Sequence, residues 1–112
     1  MAKFLIQVGY TPQAWASLIK NPQDRTQLLK PVLEKLGGSM SSAYFTFGDY
    51  DIIGVLDLPQ NADAAAFAIA VSAGGAVRSF KTTPLMTIEE GIGAMKKAAQ
   101  AGYVAPGAPA GV

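Results

Sequence analysis

A single α+β domain built on one antiparallel four-stranded sheet is what this sequence predicts, and three observations predict it. Short apolar runs bounded by Gly, Pro, Asn or Asp recur four times. Stretches with helix caps and helical apolar spacing separate the first run from the second and the third from the fourth. The second and third runs are joined by the tight polar turn Gly48-Asp49-Tyr50-Asp51, a hairpin signal.

Phe4–Val8 reads as a buried strand that stops at Gly9. Thr11 and Pro12 then supply the N-cap and first position of a helix. Asn21-Pro22 interrupts it, because proline disfavours a helical residue before it. A second helical piece spans about Gln23 to Leu36, where Leu28, Leu29, Val32, Leu33 and Leu36 recur at helical spacing. Pro31 is expected to kink it and Gly37-Gly38 to end it. Ser39–Phe47 is the second strand, with Ala43, Phe45 and Phe47 on one face and Met40, Ser42, Tyr44 and Thr46 on the other. Ile52–Leu58 is the third, closed by Pro59. Asn61 can cap an alanine-rich helix over 62–73, bulked by Phe67, Ile69 and Val71 and stopped by Gly74-Gly75. Ala76–Thr83 is the fourth strand, ended by Pro84. Thr87 and Glu90 form a capping box for a last helix over about 88–101. The domain is expected over 1–102, with 103–112 an Ala/Pro/Gly tail too poor in bulky residues to fold alone.

The first six elements spell the ferredoxin-like split βαβ unit, βαββαβ, with the C-terminal helix added. Helices cover one face of such a sheet. The other face would carry the Phe4/Ile6/Val8 set or its alternates, with aromatics from Tyr44 to Phe47. Apolar area left wet costs about 25 cal/mol per Å². The sequence therefore predicts a homodimer or larger oligomer, two sheets stacked face to face as a barrel. Half of the 112 residues are hydrophobic and only 15 % are charged, which points the same way.

The residues Phe47-Gly48-x-Tyr50-Asp51-Ile52-Ile53, then Ala76-Val77-Arg78-Ser79-Phe80-Lys81-Thr82-Thr83-Pro84-Leu85, then Thr87-x-Glu89-Glu90 together resemble the GYD-domain family. Its Gly-Tyr-Asp signature corresponds to Gly48, Tyr50 and Asp51, and the resemblance covers roughly residues 3–96. It implies small bacterial proteins with a ferredoxin-like fold and a dimeric α/β-barrel assembly. It implies no particular reaction.

Asp51 and Tyr50 are the catalytic candidates, a carboxylate beside a phenol, since an aspartate partly buried by a ring can serve as a base. The competing reading is turn chemistry, with Gly48-Asp49 making the bend and Asp51 capping backbone amides. Ligand-binding candidates are Gly48 and Asp49 in that turn, Arg78 and Lys81 on the fourth strand, and the aromatics Tyr10, Trp15 and Tyr44. Arg78 or Lys81 could pair with Asp51 or hold an anion. Either could equally be an edge-strand charge that blocks aggregation. Tyr10, Trp15 and Tyr44 could line a pocket at the helix–sheet mouth or complete the core. Gly91-x-Gly93 lacks the third glycine of a dinucleotide fingerprint and suggests close helix packing.

Absent residue types exclude much. Without Cys or His there is no thiolate, no usual metal or haem ligand and no usual general base, so neither metal nor cofactor is expected. A net charge of +1 with one adjacent basic pair, Lys96-Lys97, argues against nucleic acid. No apolar run approaches the ~20 residues that cross a bilayer. The start Met1-Ala2-Lys3 before Phe4 is too short for a signal peptide, so a cytoplasmic protein is expected. Three readings remain. The first is an oligomeric small-molecule-binding protein, regulation among its uses, with a pocket near the 48–51 turn and strand 76–83 for a small anionic or aromatic ligand. The second is a cofactor-independent isomerase- or monooxygenase-like enzyme, and the third a structural assembly protein.

Overall fold

The computed structural model describes residues 1–107. The element order is β1 (Ala2–Tyr10), α1 (Pro12–Lys20), α2 (Thr26–Lys35), β2 (Ser39–Phe45), β3 (Ile52–Leu58), α3 (Asn61–Ala73), β4 (Val77–Leu85) and α4 (Ile88–Gln100). The four strands form one sheet in the order β2-β3-β1-β4, and every neighbouring pair is antiparallel. That is the ferredoxin-like arrangement the element order predicts.

Caps are where the sequence predicts them at two helices. Thr11 Oγ1 accepts from Ala14 N at 3.1 Å, and Thr87 and Glu90 cap each other reciprocally. Two others start differently. α2 begins at Thr26 rather than Gln23, because the Asp24 carboxylate accepts from Thr26 N at 2.9 Å and draws the chain into its first turn there. At α3 the cap is Gln60, whose N–H donates to the Asp63 carboxylate, and Asn61 is already helical. α2 continues through Pro31, which forfeits one hydrogen bond to Gln27 O without ending the helix. Gly37, at φ +83, closes it.

The core lies between the sheet and the helices. Phe4, Ile6 and Val8 of β1 and Leu56 and Leu58 of β3 point to the helix side and are buried against Leu33 of α2 and Ala64 and Phe67 of α3. Phe67 meets Phe80 of β4 edge to face at 6.1 Å. Ile69, expected as core bulk, is 68 % exposed, since α3 buries Ala64 and Phe67 and partly buries Val71, and residue 69 falls opposite that stripe.

Two bulges change the expected faces. On β2, Met40 pairs with Leu56 and Ser42 with Val55, so Ser41 is an extra residue. Met40 therefore joins Ala43 and Phe45 on the helix side, while Ser42 and Tyr44 face outward. On β4, Ser79 pairs with Gly9 and Val77 with Tyr10, which leaves Arg78 extra. Val77 thereby joins Phe80 and Thr82 on the helix side. β2 also ends at Phe45 rather than Phe47, which is 104 % exposed in the loop. β4 runs through Pro84 to Leu85. It is an edge strand, so a missing N–H there breaks no ladder.

The outer face of the sheet carries the alternates of β1, not Phe4, Ile6 and Val8. Leu5, Ile53, Val55 and Tyr44 sit there among Gln7, Lys81, Thr83 and the ion pair Lys3–Asp57. α4 does not cover it. That helix projects from the end of β4 with Ile88, Ile92 and Met95 exposed along it and no substantial contact to another element. The molecule measures 63 × 31 × 22 Å, with a radius of gyration of 18.6 Å. A compact chain of this length has about 13 Å. A Cβ on Gly91 or Gly93 would meet nothing within 4 Å, so neither provides close packing within the chain. Of the expected tail, residues 103–107 form no helix or strand and 108–112 lie outside the described residues.

Core and surface apolar positions on α3 separate cleanly in a urea titration. Phe67→Ala should cost about 3–5 kcal/mol of unfolding free energy. Ile69→Ala, on the opposite side of the same helix, should stay within about 0.5 kcal/mol of the parent.

Candidate functional site

Two features stand next to each other at one end of the sheet: a knot of hydrogen bonds around Asp51, and a cavity under the helices. The knot begins at the hairpin. Thr46 N donates to Asp51 O at 2.8 Å and Thr46 Oγ1 to Tyr50 O at 2.8 Å, closing the loop, with Gly48 at φ +111 turning the chain. Asp51 N donates to Val8 O, which fastens the loop to β1. The Asp51 carboxylate reaches past it. Its Oδ2 accepts from Tyr10 N at 2.7 Å and from the Trp15 indole Nε1 at 3.3 Å, and lies 3.6 Å from the Arg78 guanidinium. Arg78 also donates to Asp49 O at 3.0 Å. Tyr10 and Trp15 meet edge to face at 5.4 Å.

Gly9 makes this possible. A Cβ there would lie 2.6 Å from the Arg78 guanidinium carbon and 2.7 Å from Ser79 Oγ. The arginine crosses the space a side chain would fill, set there by the Arg78 bulge. Gly9 reads in the sequence only as a strand end, and no sequence signal marks the bulge.

The cavity, about 510 Å³, lies between the sheet and helices α1, α2 and α3. Its floor is apolar: Ile6, Val8, Ile52 and Phe80 from the strands. Much of its wall is small, with Ala14 from α1, Ala43 from β2, Ala70 from α3 and Ala76 before β4. Arg25, in the α1–α2 connection, is the one charged residue among the described residues that lines it. Tyr10 lines it too and is half-buried. Burial pushes the Tyr10 phenol above its ordinary value; the Arg25 guanidinium opposes that rise and the Asp51 carboxylate adds to it.

The site candidates thus divide. Asp51, Arg78, Tyr10 and Trp15 come together, with Asp49 joined through its carbonyl. Tyr10 alone of them borders the large cavity. Trp15 borders a smaller cleft of about 220 Å³ with Ile19, Pro22 and Phe45. Tyr50 joins the loop only through its backbone, and Gly48 is exposed at the turn. Tyr44, 67 % exposed, and Lys81 both lie on the outer face, away from the cavity. Arg25 was not singled out by the sequence, because a lone cation between two helices carries no pattern.

The profile of the family described as "GYD domain" matches residues 4–95. No curated protein matches the chain. A solved structure described as "crystal structure of FFRP-DM1" is similar over 77 % of this chain and 100 % of that one, at 14 % identity and a TM-score of 0.49.

The Gly9–Arg78 crossing is measurable as a coupling. Gly9→Ala should cost about 1–3 kcal/mol, the usual range for forcing a methyl into packed space. In an Arg78→Ala background the same change should cost less, because the guanidinium no longer occupies the site. Additive losses in urea denaturation would show that the two residues do not contend for one space.

Proposed function

The chain belongs to the GYD-domain family, and from that premise we propose that it is an oligomeric small-molecule-binding protein whose ligand lies between its sheet and its helices. The observation that carries this reading is the cavity of about 510 Å³, which falls in the size range of ligand sites, about 300–1,000 Å³. It is apolar with polar groups confined to a few positions, as such sites are. The sequence placed the pocket near the 48–51 turn and strand 76–83. The cavity is bordered by Val77 and Phe80 of that strand, and the turn braces its rim through Asp51 and Tyr10.

The enzyme reading draws less support. Asp51 Oδ2 is engaged by the Tyr10 amide, the Trp15 indole and Arg78, and neither Asp51 nor Tyr50 lines the cavity. A carboxylate so occupied fits a brace better than a base.

Self-association belongs to the same proposal. A helix of 13 residues is marginal alone in water, and α4 has little of its own chain to pack on. Its Ile88, Ile92 and Met95 recur at helical spacing. A second copy offers them a surface, and the outer sheet face adds Leu5, Ile53 and Val55 among its polar residues.

Decanol, a neutral probe, should raise the melting temperature in a saturable way, as any ligand selective for the native state does. Ala14→Phe, which fills the cavity from α1, should abolish the shift; no saturable shift with the parent protein would overturn the binding reading. Light scattering should return the mass of two or more chains at micromolar concentration, and Ile92→Asp should lower it. A concentration-independent mass of one chain would remove the oligomer from the proposal.

A further inference from the structure

Resting on the ligand-binding reading above, we propose that the cavity takes a small carboxylate with an apolar body, its head held by Arg25 at the α1–α2 connection. Among the described residues, the cavity lining contains one cation and no carboxylate. Arg25 pairs with no acidic side chain among the described residues. Its neighbour Asp24 is the nearest candidate along the chain, yet that carboxylate is already spent on α2: it accepts from Thr26 N, Thr26 Oγ1 and Gln27 Nε2. The guanidinium therefore keeps its donors free beside an apolar hollow.

Tyr10 belongs to the same lining, and its hydroxyl makes no hydrogen bond to the described residues. A planar fork of N–H donors and a phenol O–H suit two carboxylate oxygens. Apart from Ser17 and Gln23, the rest of the lining is apolar, so the body of the ligand is apolar as well. A water takes about 30 Å³ of liquid volume, so 510 Å³ equals about 17 water-sized groups, room for a ligand of a dozen heavy atoms or somewhat more. A medium-chain or aryl-alkyl acid has that size. A phosphate dianion fits less well, since a single arginine with no second cation leaves one of its charges unmet.

The test compares three probes of equal chain length, decanoate, decanol and decylammonium, by isothermal titration calorimetry on the full chain. Decanoate should bind at least about tenfold tighter than decanol, the ratio that one charge-assisted contact supplies. Decylammonium should bind more weakly than either. Arg25→Gln should bring decanoate to the decanol level and leave decanol unchanged. Arg25 is exposed in a connection and caps α2 only through its backbone, so this variant should fold. Equal affinity for decanoate and decanol, or an equal loss of both in Arg25→Gln, would overturn the anion inference while the cavity reading stands. Failure of all three probes would overturn both.

Discussion

The structure depends on one constraint: a four-stranded sheet whose helices cover a single face must put its heaviest apolar residues on that face. β1 settles the matter because it pairs on both sides. With Phe4, Ile6 and Val8 turned toward the helices, the register fixes Leu56 and Ile52 of β3 and Phe80 of β4 to the same side. A one-residue slip would reverse all of them. At one end of this layer Leu33 and Phe67 close over Phe4, Leu56 and Leu58 and fill the space. At the other end Ala14 of α1 and Ala70 of α3 stand among the facing residues, and there the layers leave a hollow. Interiors are ordinarily packed to the density of organic crystals. Ala14 and Ala70 preserve volume there that Leu or Phe would have filled.

The polar turn after β2 gains its meaning from that hollow. Asp51 ties the hairpin to the end of β1 through its own amide, holds the Tyr10 amide and Trp15 indole with its carboxylate, and meets Arg78 of β4. Three elements that border the hollow's mouth, β1, α1 and β4, are thereby held at one carboxylate. The turn reading and the site reading of this segment converge: the chemistry is local hydrogen bonding, and its effect is to shape a rim. Removing the carboxylate would leave the Tyr10 amide and the indole N–H short of a partner together, the costly way to break such a network.

Local signals were legible, and signals that need a partner strand were not. Thr11-Pro12, Thr87 with Glu90 and Gly37 announce helix ends because each acts within four residues of itself. The sheet order followed from the alternation of elements. The faces of β2 and β4 did not, since the bulges at Ser41 and Arg78 are fixed by pairing with β3 and β1 and shift the parity of everything beyond them. Hence Met40 and Val77 came out on the side opposite to the one strict alternation gives. Phe47 read as strand by its apolar character and lies in the loop. Arg78 with Asp51 was legible as a pair of opposite charges. Gly9 beneath that arginine was not, because a glycine at a strand end looks like a terminator whether or not something crosses it.

The two surfaces the fold leaves open make unequal demands. The outer sheet face is mixed: Lys3–Asp57, Gln7, Lys81 and Thr83 interrupt Leu5, Ile53 and Val55. Charged and polar residues at this density let such a face sit half in water, as antiparallel sheets often do. α4 has no such compromise. Its apolar residues lie on a helix held by a capping box at one end and by little else, so its order must come from packing. Gly91 and Gly93 cost helix propensity, and a Cβ on either would meet nothing among the described residues; the proposed second copy would bring a backbone close to them. Within the self-association proposed above, the extended helix, more than the sheet face, is the element a second copy would cover.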